Sequence, residues 1–355
     1  MLYVSLTYFL FLLRFALAGW GGARKQLYFV VLFSLFLFSA FRYQVGCDWQ
    51  GYYFQYVHFE KYWSTLSLMS EPAWWVFLTL FNELDLPYPV VNVFSSAVFF
   101  TGVNTLARRQ PDPLGFLVIL FPILIINMPM SAIRQGAAIG LMCIAFSAFI
   151  DRRPLKYVIW VLLAAGFHPS ALIFMLLLPL AAGRFGWQNL IVTVILALPG
   201  AYFLALGDSA QMAVRRYIDN EMEAAGAIFR LSFLALTATY YFMFLRRKWK
   251  SRFLEDYGLV SIGSIGFMLV LLLIPISTVI SDRLGYYLVP IQTMIFARIP
   301  FLPFRWNSAL HSATPYLLLL LIFTIWSQLS WIFASCYIPY QTWIFGFPDG
   351  DPAGF

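Results

Sequence analysis

The sequence predicts an all-α, polytopic membrane protein of about 12 helices, in a range of about 10 to 14, forming one continuous bundle over residues 1–355. Of its residues, 61% are hydrophobic and only 11% are charged, and the mean hydropathy is +0.78. A soluble fold cannot cover that much apolar surface. Apolar segments of helical length recur along the chain, and no long polar linker divides them.

These apolar segments are the predicted spans. We interpret the first as a span rather than a signal peptide, because it has no basic start and Arg14 comes late. The segments lie near residues 2–18, 27–41, 88–106, 114–130, 135–150, 189–206, 229–245, 257–275, 284–299 and 310–334.

A further apolar stretch, residues 155–182, is interrupted at His168-Pro169. The residue before a proline is pushed out of helical geometry, and proline favours the first turn of a new helix. We therefore predict two short helices that meet at His168, either as a hairpin or as one broken span.

Basic residues set the predicted orientation. If each apolar segment crosses once, six loops that hold most of the Lys and Arg share one side, which is cytoplasmic by the positive-inside rule. The net charge of +7 therefore follows from topology and indicates no nucleic-acid partner. The six loops carry Arg24-Lys25, Arg108-Arg109, Arg152-Arg153-Lys156, Arg184, the basic residues of 246–252, and Arg298 with Arg305.

The outer side then receives both termini, the polar loop 42–75, the amphipathic segment 207–228 and the tail 335–355. Two of the three cysteines, Cys47 and Cys336, also fall on this side. The sequence leaves open whether they form a disulfide.

Six arginines lie at or above the predicted outer ends of spans, where the orientation rule gives no reason for them. A guanidinium near a span is costly and usually has a partner, and its fork matches phosphate oxygens. Such a set suits an anionic lipid headgroup such as a pyrophosphate. The six are Arg42, Arg134, Arg215, Arg216, Arg230 and Arg283.

The polar loop is rich in aromatic residues and turn residues. Asp48, flanked by Gly46 and Gly51, is a candidate for binding a sugar hydroxyl or for proton transfer. The nearby rings suit stacking on sugar faces, although an interfacial aromatic belt has the same composition. These rings belong to Trp49, Tyr52, Tyr53 and Tyr56.

The end of this loop has two interpretations. Glu71-Pro72 can start a helix, because an acid before a first-turn proline complements the helix dipole, and Trp74 and Trp75 would then be interface anchors. Alternatively, Glu71 and Trp75 contact the sugars of a substrate.

Arg134 is predicted about one turn inside a span, beside Ser131 and Gln135. It either snorkels to the headgroups or faces the bundle interior, and its polar and small neighbours favour the interior. His168 lies in an apolar run. It is either a hydrogen-bonded core residue or a group that exchanges a proton near neutral pH in a cavity lined by a broken helix.

Asp282-Arg283 opens another predicted span, followed by Tyr286. One interpretation is that the two charges cap and neutralise one another, but adjacent residues on a helix do not face each other. We therefore expect Arg283 to have another partner. Metal-dependent chemistry is not predicted: Asp349 and Asp351 in the Pro- and Gly-rich tail are a chance match to an acid pair, and the first outer loop holds no such pair.

Taken in order, these motifs resemble the EpsG-like branch of Wzy-type polysaccharide polymerases over about residues 40 to 290. The resemblance is carried by Arg42 to Tyr53, Glu71-Pro72 with Trp75, Arg134-Gln135, Phe167-His168 with Ser170, and Asp282-Arg283. It implies a multi-pass protein of the bacterial inner membrane, similar to the GT-C-like class of membrane glycosyltransferases and ligases, with its site facing the periplasm.

The resemblance also implies roles. Undecaprenyl-diphosphate-linked oligosaccharides would be donor and acceptor, with a chain-length regulator and a flippase of the same pathway as further partners and no cofactor. Arg134, Arg283 and Arg42 would bind diphosphate, Arg134 would also be catalytic, and His168 or Asp48 would be the base. Sugar contacts would come from Trp49, Tyr52, Tyr53, Glu71, Trp75, Asp282 and Tyr286.

Three alternatives remain. A lipid-linked oligosaccharide flippase would need basic residues deep in several spans, whereas here they cluster at one face. An O-antigen-ligase-like transferase would use the same donor chemistry. Acyl transfer to sugars through His168 would need a route for an acyl donor, which this sequence does not indicate.

Overall fold

The computed structural model describes residues 2–16, 21–58, 71–183, 226–303 and 308–348, with single positions at 188, 191 and 195. The described residues are helical apart from short connections and isolated β-bridges. The predicted span 189–206, nearly all of the amphipathic segment 207–228 (with Arg215 and Arg216), residues 59–70 of the polar loop and the end of the tail lie outside the described residues.

The first half of the chain begins with two apolar helices, and a short helix, α3, lies within the predicted polar loop. A π-helical turn, Phe121–Ile125, extends α6. The helices are α1 (Leu2–Ala16), α2 (Gly21–Ala40), α3 (Trp49–Val57), α4 (Pro72–Glu83), α5 (Pro89–Ala107), α6 (Pro113–Leu120) and α7 (Ile133–Ile150).

In the second half, a π-helical turn, Tyr241–Leu245, joins α10 to α11. The helices are α8 (Pro154–Phe167), α9 (Leu178–Ala182), α10 (Ala227–Tyr240), α11 (Arg246–Arg252), α12 (Tyr257–Leu272), α13 (Thr278–Arg298), α14 (Ser308–Leu329) and α15 (Trp331–Tyr337).

Within the described residues, five helical segments are long and apolar enough to cross a membrane, and shorter apolar helices accompany them. The predicted all-α, multi-pass membrane class is therefore confirmed. The five segments are Gly22–Ala40, Pro89–Ala107, Ile133–Ile150, Ala227–Arg252 and Ser312–Leu329.

The predicted break at His168 is also confirmed. Helix α8 ends at Phe167, and a 3-10 helix, Pro169–Leu177, follows instead of a regular α-helix. The Tyr157 hydroxyl donates to the Phe174 carbonyl at 2.5 Å. A chain that continued straight would separate these residues by more than 20 Å, roughly the rise of the two segments. The 3-10 helix therefore runs back beside α8, as in the hairpin alternative.

The chain divides into two compact units. Unit 1 comprises Met1–Cys143, Leu163–Pro169 and Phe296–Phe355, and unit 2 comprises Ile144–Leu162 and Ser170–Ile295.

In unit 1, α2 and α5 run antiparallel. Tyr28 pairs with Asn104 at 2.7 Å near one end, and Ser39 pairs with Ser96 at 3.2 Å near the other. Helix α5 also meets α7 at very short range, because a Cβ on Gly102 would lie 1.7 Å from the Gly140 carbonyl oxygen. Small residues permit this close approach of two spans.

In unit 2, polar side chains join the helices. The Tyr241 hydroxyl and the Ser261 hydroxyl are 2.9 Å apart, and the Gln292 amide donates to the Thr237 hydroxyl at 2.8 Å. These bonds connect α10 and its π-helical extension with α12 and α13.

A candidate substrate site around Arg134

The polar loop starts with a buried arginine. Arg42 is 1% exposed and donates to the Ser39 carbonyl at 2.7 Å, the Asn92 side-chain oxygen at 2.8 Å and the Val45 carbonyl at 3.0 Å. Burial lowers the pKa of Arg42 to about 10, which still leaves it charged at neutral pH. The side chain is enclosed and each of its three nitrogens donates one hydrogen bond within the protein. The diphosphate role assigned to Arg42 from the sequence stays a prediction.

Gly46 places the loop against the residues that precede α7. Its φ is +107°, a region that favours glycine, and a Cβ there would lie 1.9 Å from the Met130 carbonyl oxygen. Asp48 follows two residues later, and Arg134 follows Met130 by one turn. The close contact at Gly46 therefore positions the start of α3 beside the start of α7.

Helix α3 divides its aromatic rings between two environments. Three rings pack around Tyr88: Trp49 at 5.0 Å, Tyr53 at 5.8 Å and Tyr56 at 5.9 Å between centroids. All are buried, so their rings pack in the core. Sugar stacking by Trp49 and Tyr53 stays a prediction. Asp48, just before α3, is exposed, and its side chain makes no capping hydrogen bond.

Tyr52 instead faces Arg134. We call the group formed by Arg134, Tyr52, Glu71 and Trp74 the Arg134 site. Arg134 Nη1 makes a hydrogen-bonded ion pair with Glu71 Oε2, and Nε lies 3.4 Å from the Tyr52 hydroxyl. The guanidinium carbon lies 5.3 Å from the Tyr52 ring centroid and 5.9 Å from that of Trp74, within cation–π range. Trp74 in turn donates to the Gln55 side-chain oxygen at 3.3 Å.

Local sequence explains how these groups come together. Pro72 occupies the first turn of α4, as predicted, and Glu71 precedes it without making a side-chain capping bond. The Glu71 carboxylate pairs with Arg134, in the first turn of α7. Glu71 is thus the partner that the position of Arg134 led us to expect, and its carboxylate is engaged by a cation. Trp75 is buried at 4% exposure.

The Arg134 site combines a cation with partial access to solvent. The Arg134 side chain is 27% exposed and that of Glu71 is 12% exposed. Burial raises the pKa of Tyr52, so its phenol stays protonated at neutral pH and can donate a hydrogen bond but cannot act as a base.

His168 lies near the same part of unit 1. Two residues before it, a Cβ on Gly166 would lie 2.9 Å from the Ala73 Cβ, and Phe167 stacks on Phe77 at 5.7 Å between centroids. The end of α8 therefore packs against the first turns of α4, where Glu71 begins the helix. His168 itself is buried at 8% exposure.

The remaining predicted site residues lie in unit 2. Asp282 accepts two hydrogen bonds from Arg230, each 2.8 Å long, and the Arg230 guanidinium lies 5.4 Å from the Tyr286 ring centroid. We call these three residues the Arg230 cluster. Arg283 is half-buried on the same helix, α13. The sequence places Arg230 among the six outer arginines that suit an anionic headgroup but gives it no individual role and no partner.

A disulfide joins the polar loop to the tail. Cys47 and Cys336 are bonded, which settles the question left open by the sequence. Backbone bonds reinforce it: Gly46 N donates to the Cys336 carbonyl at 2.7 Å, and Trp343 N donates to the Phe41 carbonyl at 3.0 Å. The tail after α15 is thus fixed to the loop that carries Asp48.

No group of three or more His, Cys, Asp or Glu side chains that could hold a metal ion occurs among the residues that the structure describes.

Comparison with known proteins gives one match. A family model described as the EpsG family matches residues 25–342, which include both the Arg134 site and the Arg230 cluster. Neither a search of the curated proteins nor a search of the solved structures finds a match.

Proposed function

The chain belongs to the EpsG family of Wzy-type polysaccharide polymerase-like proteins, and we propose that it is a membrane glycosyltransferase that polymerises undecaprenyl-diphosphate-linked oligosaccharide repeat units. Family membership and the membrane helices fit a membrane polysaccharide polymerase. The observation that carries the finer proposal is the partly exposed Arg134, held by a carboxylate and two rings at the start of a span.

In the proposed reaction, a hydroxyl oxygen on the acceptor glycan attacks the anomeric carbon of the donor. The bond from that carbon to the lipid diphosphate breaks, the glycosidic bond forms, and the hydroxyl proton passes to a base. Diphosphate is a good leaving group, so the main demand is positive charge beside its oxygens. Arg134 meets this demand, since a guanidinium forms paired, charge-assisted hydrogen bonds with phosphate.

Glu71 has a positioning role in this scheme, in place of the sugar contact predicted from the sequence. Its ion pair holds the Arg134 guanidinium against Tyr52 and Trp74 before substrate arrives. Preorganised charge stabilises a transition state without reorganisation during the reaction. The Tyr52 phenol would be a neutral hydrogen-bond donor to the diphosphate oxygens.

Two residues are candidates for the base. Asp48 is exposed on the loop that Gly46 fixes beside α7, and His168 ends α8 next to the first turns of α4. Histidine suits proton transfer near neutral pH, and a carboxylate suits it where burial raises its proton affinity. We assign His168 as the first choice, because it is buried in the helix break.

The outer face is the proposed location of the reaction. The Cys47–Cys336 disulfide supports it, because structural disulfides persist in oxidising compartments such as the periplasm and are rare in the cytosol. The positive-inside pattern supports the same orientation independently. A GT-C-like architecture, a chain-length regulator and a flippase as partners belong to the same proposal.

The test is polymer formation by purified protein in nanodiscs supplied with the cognate lipid-linked repeat unit. We expect a ladder on a gel from the wild type, none from Arg134→Ala and His168→Ala, and a normal ladder from the control Arg153→Ala, an exposed arginine of a basic loop. Asp48→Asn tests the other candidate base.

Each other outcome has a distinct meaning. Folded wild-type protein that binds the substrate but never extends it would favour a flippase. A ladder that survives the Arg134, His168 and Asp48 substitutions would keep a polymerase and overturn the site.

A further inference from the structure

A second group of basic residues lies in unit 1, at the end of α2 and α5 opposite to the Arg42 loop. The antiparallel pairing of these helices brings the first turn of α2 next to the last turn of α5. Arg24 precedes Tyr28 by four residues, and Arg108 follows Asn104 by four residues. Residues four apart share a helix face, so both arginines lie just beyond the Tyr28–Asn104 hydrogen bond.

Contacts agree with this placement. Arg108 follows the last residue of α5, and its backbone N–H donates to the Asn104 carbonyl at 3.0 Å. Arg24 Nη2 donates to Asp112 Oδ2 at 2.6 Å, and no other nitrogen of its guanidinium makes a hydrogen bond within the described part of the chain.

Asp112 holds Arg24 in place but does not neutralise the combined charge of Arg14 and Arg24. The same carboxylate oxygen accepts from Arg14 at 3.2 Å, and the other oxygen caps α6 at the Gly115 amide at 3.0 Å. One buried carboxylate between two guanidinium groups leaves one net positive charge. Arg14 is 7% exposed and Arg24 is 21% exposed, so the excess charge is accessible through Arg24.

Span length places this charge at the membrane surface. Gly22–Ala40 and Pro89–Ala107 are both candidate spans, and Arg24 and Arg108 lie at their ends. Phospholipid phosphates occupy that level, and basic pockets between spans on the predicted cytoplasmic side suit anionic headgroups. The planar fork of arginine matches the two free oxygens of a phosphodiester.

We propose that Arg24 and Arg108 bind the phosphate of an anionic glycerophospholipid in the predicted cytoplasmic leaflet, with Asp112 holding Arg24 in place. This site lies at the other end of α2 from the loop that leads to the Arg134 site, and it does not depend on the proposed polymerase activity.

The experiment compares the melting temperature of purified protein in detergent with and without added phosphatidylglycerol. We expect phosphatidylglycerol to raise it more than equimolar phosphatidylcholine or inorganic phosphate does. The increase should fall to roughly half or less in Arg24→Ala and in Arg108→Ala, since each contributes one of the two charged contacts. Arg108→Ala leaves the Asp112 contacts intact, so it tests the site even where Arg24→Ala folds poorly.

Lys25→Ala is the matched control, because Lys25 is an exposed neighbour of the same charge. An unchanged lipid response in Arg108→Ala would overturn the proposal. An equal loss in Lys25→Ala would also overturn it, in favour of diffuse attraction. A response to inorganic phosphate or to polyprenyl diphosphate as large as that to phosphatidylglycerol would reassign the anion.

Discussion

Arg42 and Arg134 carry the same side chain in the same unit, yet their surroundings differ completely. Arg42 is 1% exposed and bonded to two carbonyls and an amide oxygen, whereas the Arg134 side chain is 27% exposed and pairs with a carboxylate beside two rings. Removing Arg42 would take a donor away from three buried neutral acceptors. A partly exposed ion pair can accept a phosphate as a further partner. In our proposal, Arg42 therefore maintains the fold and Arg134 meets the substrate.

The largest expected effect is the loss of polymerisation activity on substituting Arg134. Arg134→Lys keeps the charge but loses the planar fork, so we expect polymerisation to fall by roughly 10²-fold, within the range for loss of one transition-state donor. The melting temperature should change little, because the site is partly exposed. Radiolabelled polymer yield and a thermal melt measure the two quantities. A large drop in melting temperature with activity per folded molecule retained would contradict the contrast.

Arg42→Met should show the reverse pattern. Removing the guanidinium leaves the Ser39, Val45 and Asn92 acceptors without their donor, at about 1–3 kcal/mol for each unsatisfied group. We expect a clearly lower free energy of unfolding in a denaturant titration in mixed micelles, with Arg153→Met unchanged. If Arg42→Met were as stable as the wild type but did not bind diphosphate, the diphosphate-binding role predicted for Arg42 would be supported instead.

A substitution of Glu71, the partner of Arg134, should have a smaller effect than either arginine substitution. Glu71→Gln keeps an oxygen that Arg134 can donate to but removes the negative charge, so the guanidinium is less neutralised. We expect tighter binding of undecaprenyl diphosphate, by roughly a few-fold, and a smaller loss of polymerisation than in Glu71→Ala. Isothermal titration with the diphosphate lipid measures the affinity. Inactivity as complete as in Arg134→Ala would assign Glu71 a chemical step.

The disulfide should have the smallest effect. In Cys336→Ser the tail is still held by the backbone bonds from Gly46 and Trp343, so we expect the melting temperature to fall by only a few degrees. A reductant should lower the melting temperature of the wild type to that of Cys336→Ser and leave the melting temperature of Cys336→Ser unchanged. A collapse of the fold on reduction would show that the backbone bonds do not suffice.

Elements that depend on local sequence were predictable. Hydropathy located the five described segments that are long and apolar enough to cross a membrane, Pro169 located the break at His168, and Pro72 located the start of α4. The spacing of Trp49, Tyr53 and Tyr56 places them on one face of a helix, and this signal could have predicted their burial around Tyr88.

Partners distant in sequence were not predictable in this way. The rule on adjacent residues excluded Arg283 as the partner of Asp282, but it could not select Arg230, which is 52 residues away. Likewise, Glu71 and Arg134 are 63 residues apart. Such pairs are set by how helices pack, and a single sequence records only that each charge needs some partner.

Gly46 has a consequence for reading genetic screens of this protein. Any side chain at that position would collide with the Met130 carbonyl and occupy a backbone conformation that L-residues rarely adopt. A saturation library selected for polymer would therefore deplete Gly46 variants as thoroughly as Arg134 variants. Only a paired selection for membrane abundance would distinguish Gly46, which is needed for folding, from Arg134, which is proposed to act in the reaction.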